Sequence, residues 1–333
     1  MNMEKSIEIE IITYNRSKIL DRWLQENLNV VNKLNMGIAI YDSSSNNETE
    51  ELIKEYNLRH HNRIKYVHLP SSIRVDEKVI TAILESDYRY VWPIGDSRSI
   101  DFSAFESRVI PFVNHGYDFV CIWPKVGLKN SVREFSDSVD FFCDCFWHTT
   151  WLGGLIFCKD IFSPLQSRNI LKEYLVKYCK NDGFSYLGIF YDLIAQRRIK
   201  ALLSYVSHQD LEPKKVPGWL SRYLEVWCGN LCYLIDSVDD AYNTVKEKVL
   251  KETWQVLALD GAHWCYHARK NNGLTLKDYN YYDSNGLLDR VSRHKKRIKH
   301  FAEYSGMQIP LERNAVSNYD GMTVPTQRHA FPV

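Results

Sequence analysis

The chain has 333 residues, 45% hydrophobic and 25% charged, ordinary values for a soluble globular protein of about two domains. Its 42 Lys and Arg against 41 Asp and Glu leave a net charge of +1, which excludes a global pull towards nucleic acid. Gly 15 and Pro 10 exclude a collagenous or low-complexity chain. The apolar runs fall short of the roughly 20 residues that span a bilayer, and MNMEKSIEIEIITYNR lacks a signal peptide's apolar core. A cytoplasmic protein without a transmembrane segment is expected. The eight cysteines include no C-x-x-C and sit mostly in apolar stretches, as reduced buried thiols do.

Ser6 to Thr13 alternates, with Ile7, Ile9 and Ile11 on one face and Ile12 on the other, which predicts a strand buried partly on both sides. After Tyr14-Asn15-Arg16, Ser17 is placed to cap a helix carrying Ile19, Leu20, Trp23, Leu24, Leu28 and Val31. A strand over 36–41, a helix over 48–56, a strand over 64–69, a helix over 75–85 and a strand over 88–94 follow, with short links. This β-α-β order demands a mostly parallel sheet with right-handed crossovers. Ligands bind such sheets outside the carboxyl ends of the strands. Three of those ends carry Tyr14-Asn15-Arg16, Asp42-Ser43-Ser44 and Gly95-Asp96-Ser97-Arg98, so polar groups converge on one edge.

Further on, strands are predicted over 118–123, 152–158 and 201–206, and helices over 139–147, 170–178 and 184–196. After Pro213 and Pro217 strand signals nearly vanish, while apolar and aromatic residues recur at helical spacing. A helix over 287–305 is predicted to end at Gly306. The expected domains are an α/β domain over 1–216, a helical module over 217–310 and a tail over 311–333.

Ile11-Ile12-Thr13-Tyr14-Asn15-Arg16 resembles the opening motif of family 2 glycosyltransferases with the GT-A fold. Tyr41-Asp42-Ser43-Ser44-Ser45-Asn46 is similar to their second motif, and Gly95-Asp96-Ser97-Arg98 stands where they carry an acidic D-x-D signature. The resemblance covers roughly residues 5–210. It implies a GT-A (Rossmann-like) sheet flanked by helices, a UDP-sugar donor and a saccharide or glycosylated protein acceptor. Asp42 would accept hydrogen bonds from uracil and ribose, with Ser44 beside it; otherwise it simply forms the turn with its serines. Thr13 and Tyr14 would flank the base, Tyr14 by stacking. Asn15 and Arg16 follow, and Arg16 faces the diphosphate or solvent. Asp76 and Lys78 would face the donor sugar or phosphate, the alternative being ordinary helix N-terminal charge.

Asp96 is the expected metal ligand, because a diphosphate leaving group is commonly neutralised by Mn²⁺ or Mg²⁺ held by carboxylates. The chain departs from the family pattern at Arg98, where the second acid would stand. Either Asp96 holds the cation through water and the diphosphate, or Arg98 supplies positive charge itself. Inversion at the sugar needs a general base. Asp182, in Asn181-Asp182-Gly183-Phe184, matches the family's Asp, the alternative role being a helix cap, and Asp144 and His148 compete as the base.

The expected function is transfer of a hexose, glucose or a related sugar, from a UDP-sugar to a hydroxyl of a saccharide or glycoprotein-linked glycan, with inversion. The alternative is an impaired sugar-binding or assembly partner of another glycosyltransferase. A nucleotidyltransferase would show a Gly-rich phosphate loop near the N-terminus, and none is present. Cys228, Cys232, His263, Cys265 and His267 lack a strong zinc spacing and read as core. The basic run Arg290 to Lys299 reads as a solvated face. The helical module would serve acceptor binding or homo-oligomerisation.

Overall fold

The computed structural model describes residues 7–60, 64–123, 132–178, 183–211, 224–253 and 274–284, with single positions at 222, 299 and 303. The expected helix over 287–305, the expected tail and Asp182 lie outside the described residues, apart from positions 299 and 303. Two compact units result: residues 1–217 with 225–259, and residues 218–224 with 260–333.

In the first unit the chain runs β1 (Ile7–Thr13), α1 (Ser17–Lys33), β2 (Gly37–Asp42), α2 (Glu48–His60), β3 (Ile64–His68), α3 (Val75–Glu85) and β4 (Tyr90–Gly95). It continues through β5 (Arg98–Ile100), α4 (Phe102–Arg108), α5 (Ile110–Asn114), β6 (Phe119–Trp123), β7 (Arg133–Asp137) and α6 (Ser138–Thr149). Then come β8 (Leu155–Cys158), α7 (Arg168–Lys177), α8 (Ser185–Ile194), β9 (Arg198–Tyr205), β10 (His208–Asp210) and α9 (Leu231–Ser237). Eight strands form one sheet in the order β3-β2-β1-β4-β8-β6-β9-β7, and β5 pairs with β10 in a small second sheet.

The expected parallel core is present in β3-β2-β1-β4, and β6 runs parallel to β9. Strand β8 joins the two halves antiparallel to both neighbours, and β7 closes the far edge antiparallel to β9. All seven residues of β1 are buried, as a central strand covered on both faces requires. Ile7, Ile9 and Ile11 pack with Leu20, Trp23 and Leu24 of α1 and with Trp92, Ile94 and Phe105. The Trp92 and Phe105 rings stack with centroids 4.8 Å apart. In the other half of the sheet, Phe119 meets the rings of Phe141 and Phe190 edge-on.

Several expectations shift. Ser17 does not cap α1: Arg16 is the N-cap, its carbonyl accepting from Ile19 and Leu20 at 3.0 Å each. The Ser17 hydroxyl instead donates to Glu48 at 2.7 Å, at the start of α2. Strands β5 and β7 were not expected. Strand β5 has three residues, too few to show a period, and in β7 only Phe135 is buried. The helix after β7 is capped by Asp137, which accepts from the backbone of Val139 at 2.8 Å and Asp140 at 3.1 Å. Residues after 217 also contribute to this unit. Tyr242 is fully buried and donates to the Tyr191 carbonyl at 2.8 Å, and α9 packs on α8.

In the second unit, α10 (Leu276–Ser284) opens with a reciprocal cap. Thr275 and Asp278 each bond the other's backbone N–H, at 3.1 and 3.0 Å. Among the described residues no helix is long and apolar enough to cross a membrane, and Cys121, Cys143, Cys145, Cys158 and Cys232 are free thiols.

Candidate active site

The parallel register sets Thr13 beside Asp42 and Ile12 beside Gly95, so three strand ends meet on one edge. A cavity of about 410 Å³ opens there, lined by Thr13, Tyr14, Arg16, Ser43, Lys78 and Asp96, with Ser71, Ile73, Val75, Gly95 and Leu152 completing the wall. Tyr14 is half exposed at its mouth.

Asp96 is the sole carboxylate among these lining residues and is 1% exposed. The Thr13 hydroxyl donates to its Oδ2 at 2.7 Å, and Arg16 Nη1 donates to its Oδ1 at 2.7 Å. Burial pushes the Asp96 carboxyl above its ordinary range, and Arg16, Thr13 and Lys78 each offset part of that. Lys78, 3% exposed on α3, donates to the Thr13 carbonyl at 2.8 Å and to Ser43 Oγ at 2.6 Å. Burial lowers its pKa, against the pull of Asp42 and Asp96.

Asp42 lies behind this wall. It is fully buried, with Ser44 bonding one carboxylate oxygen through its backbone N–H at 2.8 Å and the Tyr66 hydroxyl donating to the other at 3.1 Å. Ser43, one residue on, faces the cavity in its place. Ser44 also accepts from the Asn15 N–H at 2.7 Å, while Asn15 Oδ1 accepts from Ser45 N at 3.0 Å. Asn15 adopts φ 51°, a left-handed turn that Asn tolerates. Asn15, Asp42 and Ser44 thus clamp the two loops together and aim their neighbours.

Asp76 turns away from the cavity that Val75 and Lys78 line. Its Oδ2 accepts from the Gly183 N–H at 2.7 Å and Ser185 Oγ at 3.1 Å, tying α3 to the start of α8. Gly183 has φ +96°, which suits glycine. Asp144 and His148 do not line the cavity. Asp144 pairs with Arg133 at 2.6 Å and lies 3.7 Å from Lys248, and the His148 ring packs on Trp123 at 3.7 Å between centroids. Arg98 does not line the cavity either: its guanidinium lies 5.1 Å over the Trp151 ring, which stacks on His208. Trp151 precedes Leu152, so this aromatic group borders the wall.

Sequence reasoning missed Ser43, Ser71 and Ile73. The signal for Ser71 was present in Pro70-Ser71-Ser72, a turn at a fourth strand end closed by the Ile73 N–H to Pro70 carbonyl bond at 3.0 Å.

Glycosyl transferase family 2 matches the chain over residues 9–175. The chain belongs to glycosyl transferase family 2. That span takes in all three strand-end loops, and with it the enzyme class is that of a glycosyltransferase. The fold is that of solved GT-A glycosyltransferases. S. aureus TarS is 13% identical with a TM-score of 0.51, covering 89% of this chain and 55% of that one. Mannosyltransferase PcManGT from Pyrobaculum calidifontis, in complex with GDP-Man and Mn²⁺, is 10% identical with a TM-score of 0.50, covering 92% and 88%. The sequence matches none of the curated proteins.

The family's divalent cation finds a poor donor set here. Among the described residues no three His, Cys, Asp or Glu side chains come together as metal ligands. Asp96 stands alone in the wall with both oxygens engaged. With one carboxylate in the wall, already paired with Arg16, the residues present suit a guanidinium better than a divalent cation.

Proposed function

We propose that the protein transfers a hexose from a UDP-sugar to a hydroxyl of a saccharide or glycosylated carrier, with inversion. The observation that carries this reading is the cavity itself: a base-sized ring at its mouth, Tyr14, and a buried Asp96 with two cations, Arg16 and Lys78, behind it. A nucleoside diphosphate needs a flat apolar contact at one end and positive charge at the other. PcManGT, of the same fold, is a mannosyltransferase that holds GDP-Man with Mn²⁺.

In this reading the base lies against Tyr14 and Ser43, and the diphosphate lies towards Arg16 and Lys78. The acceptor oxygen attacks the anomeric carbon in line. The bond from that carbon to the diphosphate breaks, UDP leaves with the electron pair, and the acceptor proton passes to a base. Asp182 is assigned as that base on the family resemblance of Asn181-Asp182-Gly183-Phe184, since Asp144 and His148 are engaged elsewhere. Trp151 and Leu152 are assigned to the acceptor side, on the strength of an aromatic face bordering the cavity.

The module expected over 217–310 is assigned to acceptor binding or self-association, supported by the Trp219, Tyr223, Trp227, Trp254, Trp264 and Tyr266 of its sequence. The test is a panel of UDP-sugars scored by UDP release with and without acceptor saccharides. Asp96→Ala should cut turnover by about 10²-fold with the fold intact, because Arg16 loses the carboxylate that fixes it in the cavity. No UDP release and no nucleotide binding from any donor would refute the proposal.

A further inference from the structure

Arg16 occupies an unusual position. It stands at the N-cap of α1, lines the cavity and keeps 39% of its side chain exposed, while its Nη1 is fixed 2.7 Å from the buried Asp96. Asp96 takes this one N–H of a guanidinium that has five. Lys78, the other cation of the wall, is 3% exposed with its ammonium bonded to Thr13 and Ser43. Arg16 is thus the cation with the most donors left to offer an incoming anion, and a guanidinium fork matches phosphate oxygens bidentately. The acid that would normally hold a metal is spent on aiming it. Thr13 holds the second oxygen of that acid, so the carboxylate is locked on both sides.

We propose that Arg16 is the built-in countercharge for the donor's diphosphate, and that Asp96 is the positioning residue that aims it, in the role a divalent cation fills elsewhere. This rests on the nucleotide-sugar reading above. It assigns the neutralising charge to the side chain that the structure places in the cavity, whereas Arg98, at the missing acid's own position, sits over Trp151.

The experiment is titration calorimetry of the full chain with UDP and with uridine, in EDTA and in Mn²⁺. Wild type should bind UDP in EDTA with a Kd within about threefold of that in Mn²⁺. Arg16→Gln should weaken UDP by about tenfold or more, the loss expected for hydrogen bonds to a charged group, and leave uridine unchanged. Arg16→Lys should recover part of the loss, since it keeps the charge without the fork. Asp96→Asn, which keeps a partner for Thr13 and drops the ion pair, should weaken UDP and spare uridine. Loss of more than threefold in EDTA, or UDP binding to Arg16→Gln and Arg16→Lys equal to wild type, overturns the proposal while uridine binding leaves the nucleotide reading standing. Absence of both UDP and uridine binding in either condition overturns the two together. Thermal midpoints of the variants show that each is folded.

Discussion

Replacing Glu10 by Leu should stabilise the protein, and more so at higher pH. Glu10 is the middle residue of β1, fully buried between β2 and β4, and both of its carboxylate oxygens lack a hydrogen-bond partner. Alternation places it with Glu8 on the face opposite Ile7, Ile9 and Ile11, towards α3, which packs on β1. Burial raises its pKa well above the ordinary 4.5, and the neighbouring Glu8 adds to the rise. A carboxyl raised in the folded state binds more protons there than in the unfolded chain. Stability therefore falls as pH climbs from about 4.5 to the folded value, then levels off. A buried unpaired polar group costs about 1–3 kcal/mol, so Glu10→Leu should gain about that much at pH 8 and less at pH 5. Glu10→Gln should flatten the pH dependence without the full gain, because it loses the titration but keeps polar atoms. Glu8, also raised by burial but relieved by the Ser86 hydroxyl, leaves a residual slope. The assay is urea unfolding by tryptophan fluorescence at pH 5, 6.5 and 8. A Glu10→Leu variant less stable than wild type at pH 8, or an unchanged pH slope, would refute the reasoning.

Asp42→Ala should weaken UDP binding by about 1–3 kcal/mol, by freeing the loop that Ser44 and Tyr66 hold to it; calorimetry checks this, and an unchanged Kd removes Asp42 from the donor site. Asp76→Ala should cost about 2–3 kcal/mol of stability, because the Gly183 N–H and the Ser185 hydroxyl both lose a charged acceptor; urea midpoints measure it. Gly188→Ala should destabilise by about 1–3 kcal/mol, since an added Cβ would run into the Tyr178 ring and lie 2.7 Å from Leu234; a neutral thermal midpoint would show that α8 and α9 are loosely packed.

The N-terminal half of the fold was legible because its signals agree. Ile7 to Thr13, the apolar stripe from Ile19 to Val31 and the polar strand ends each pointed to one topology, and the structure contains it. What was not legible depended on neighbours distant in sequence. Glu8 and Glu10 alternate with isoleucines, a pattern that ordinarily marks a solvent face, yet central placement in the sheet buries both. Asp42 was expected to face the donor, but Ser44 and Tyr66 draw its carboxylate inward and leave Ser43 on the wall. Sequence position points to Arg98 as the replacement charge; the short β5 pairing with β10 carries it to Trp151, and Arg16, from a loop about 80 residues earlier, meets Asp96 instead.

The sheet order has a consequence for synthesis. Strands β1 to β4 form one contiguous half-sheet that is complete once residue 95 has emerged, but β4 gains its second neighbour only with β8 at residue 155. At about 5–20 residues per second, β4 waits roughly 3–12 s as an apolar edge. Pro93 lies on that strand beyond Tyr90 and Val91, the residues that pair with β8, and offers no N–H to a stray strand. The exposed template is thereby confined to the first residues of β4. A fragment ending near residue 150 should aggregate when expressed alone, and Pro93→Val should aggravate it by extending the open edge.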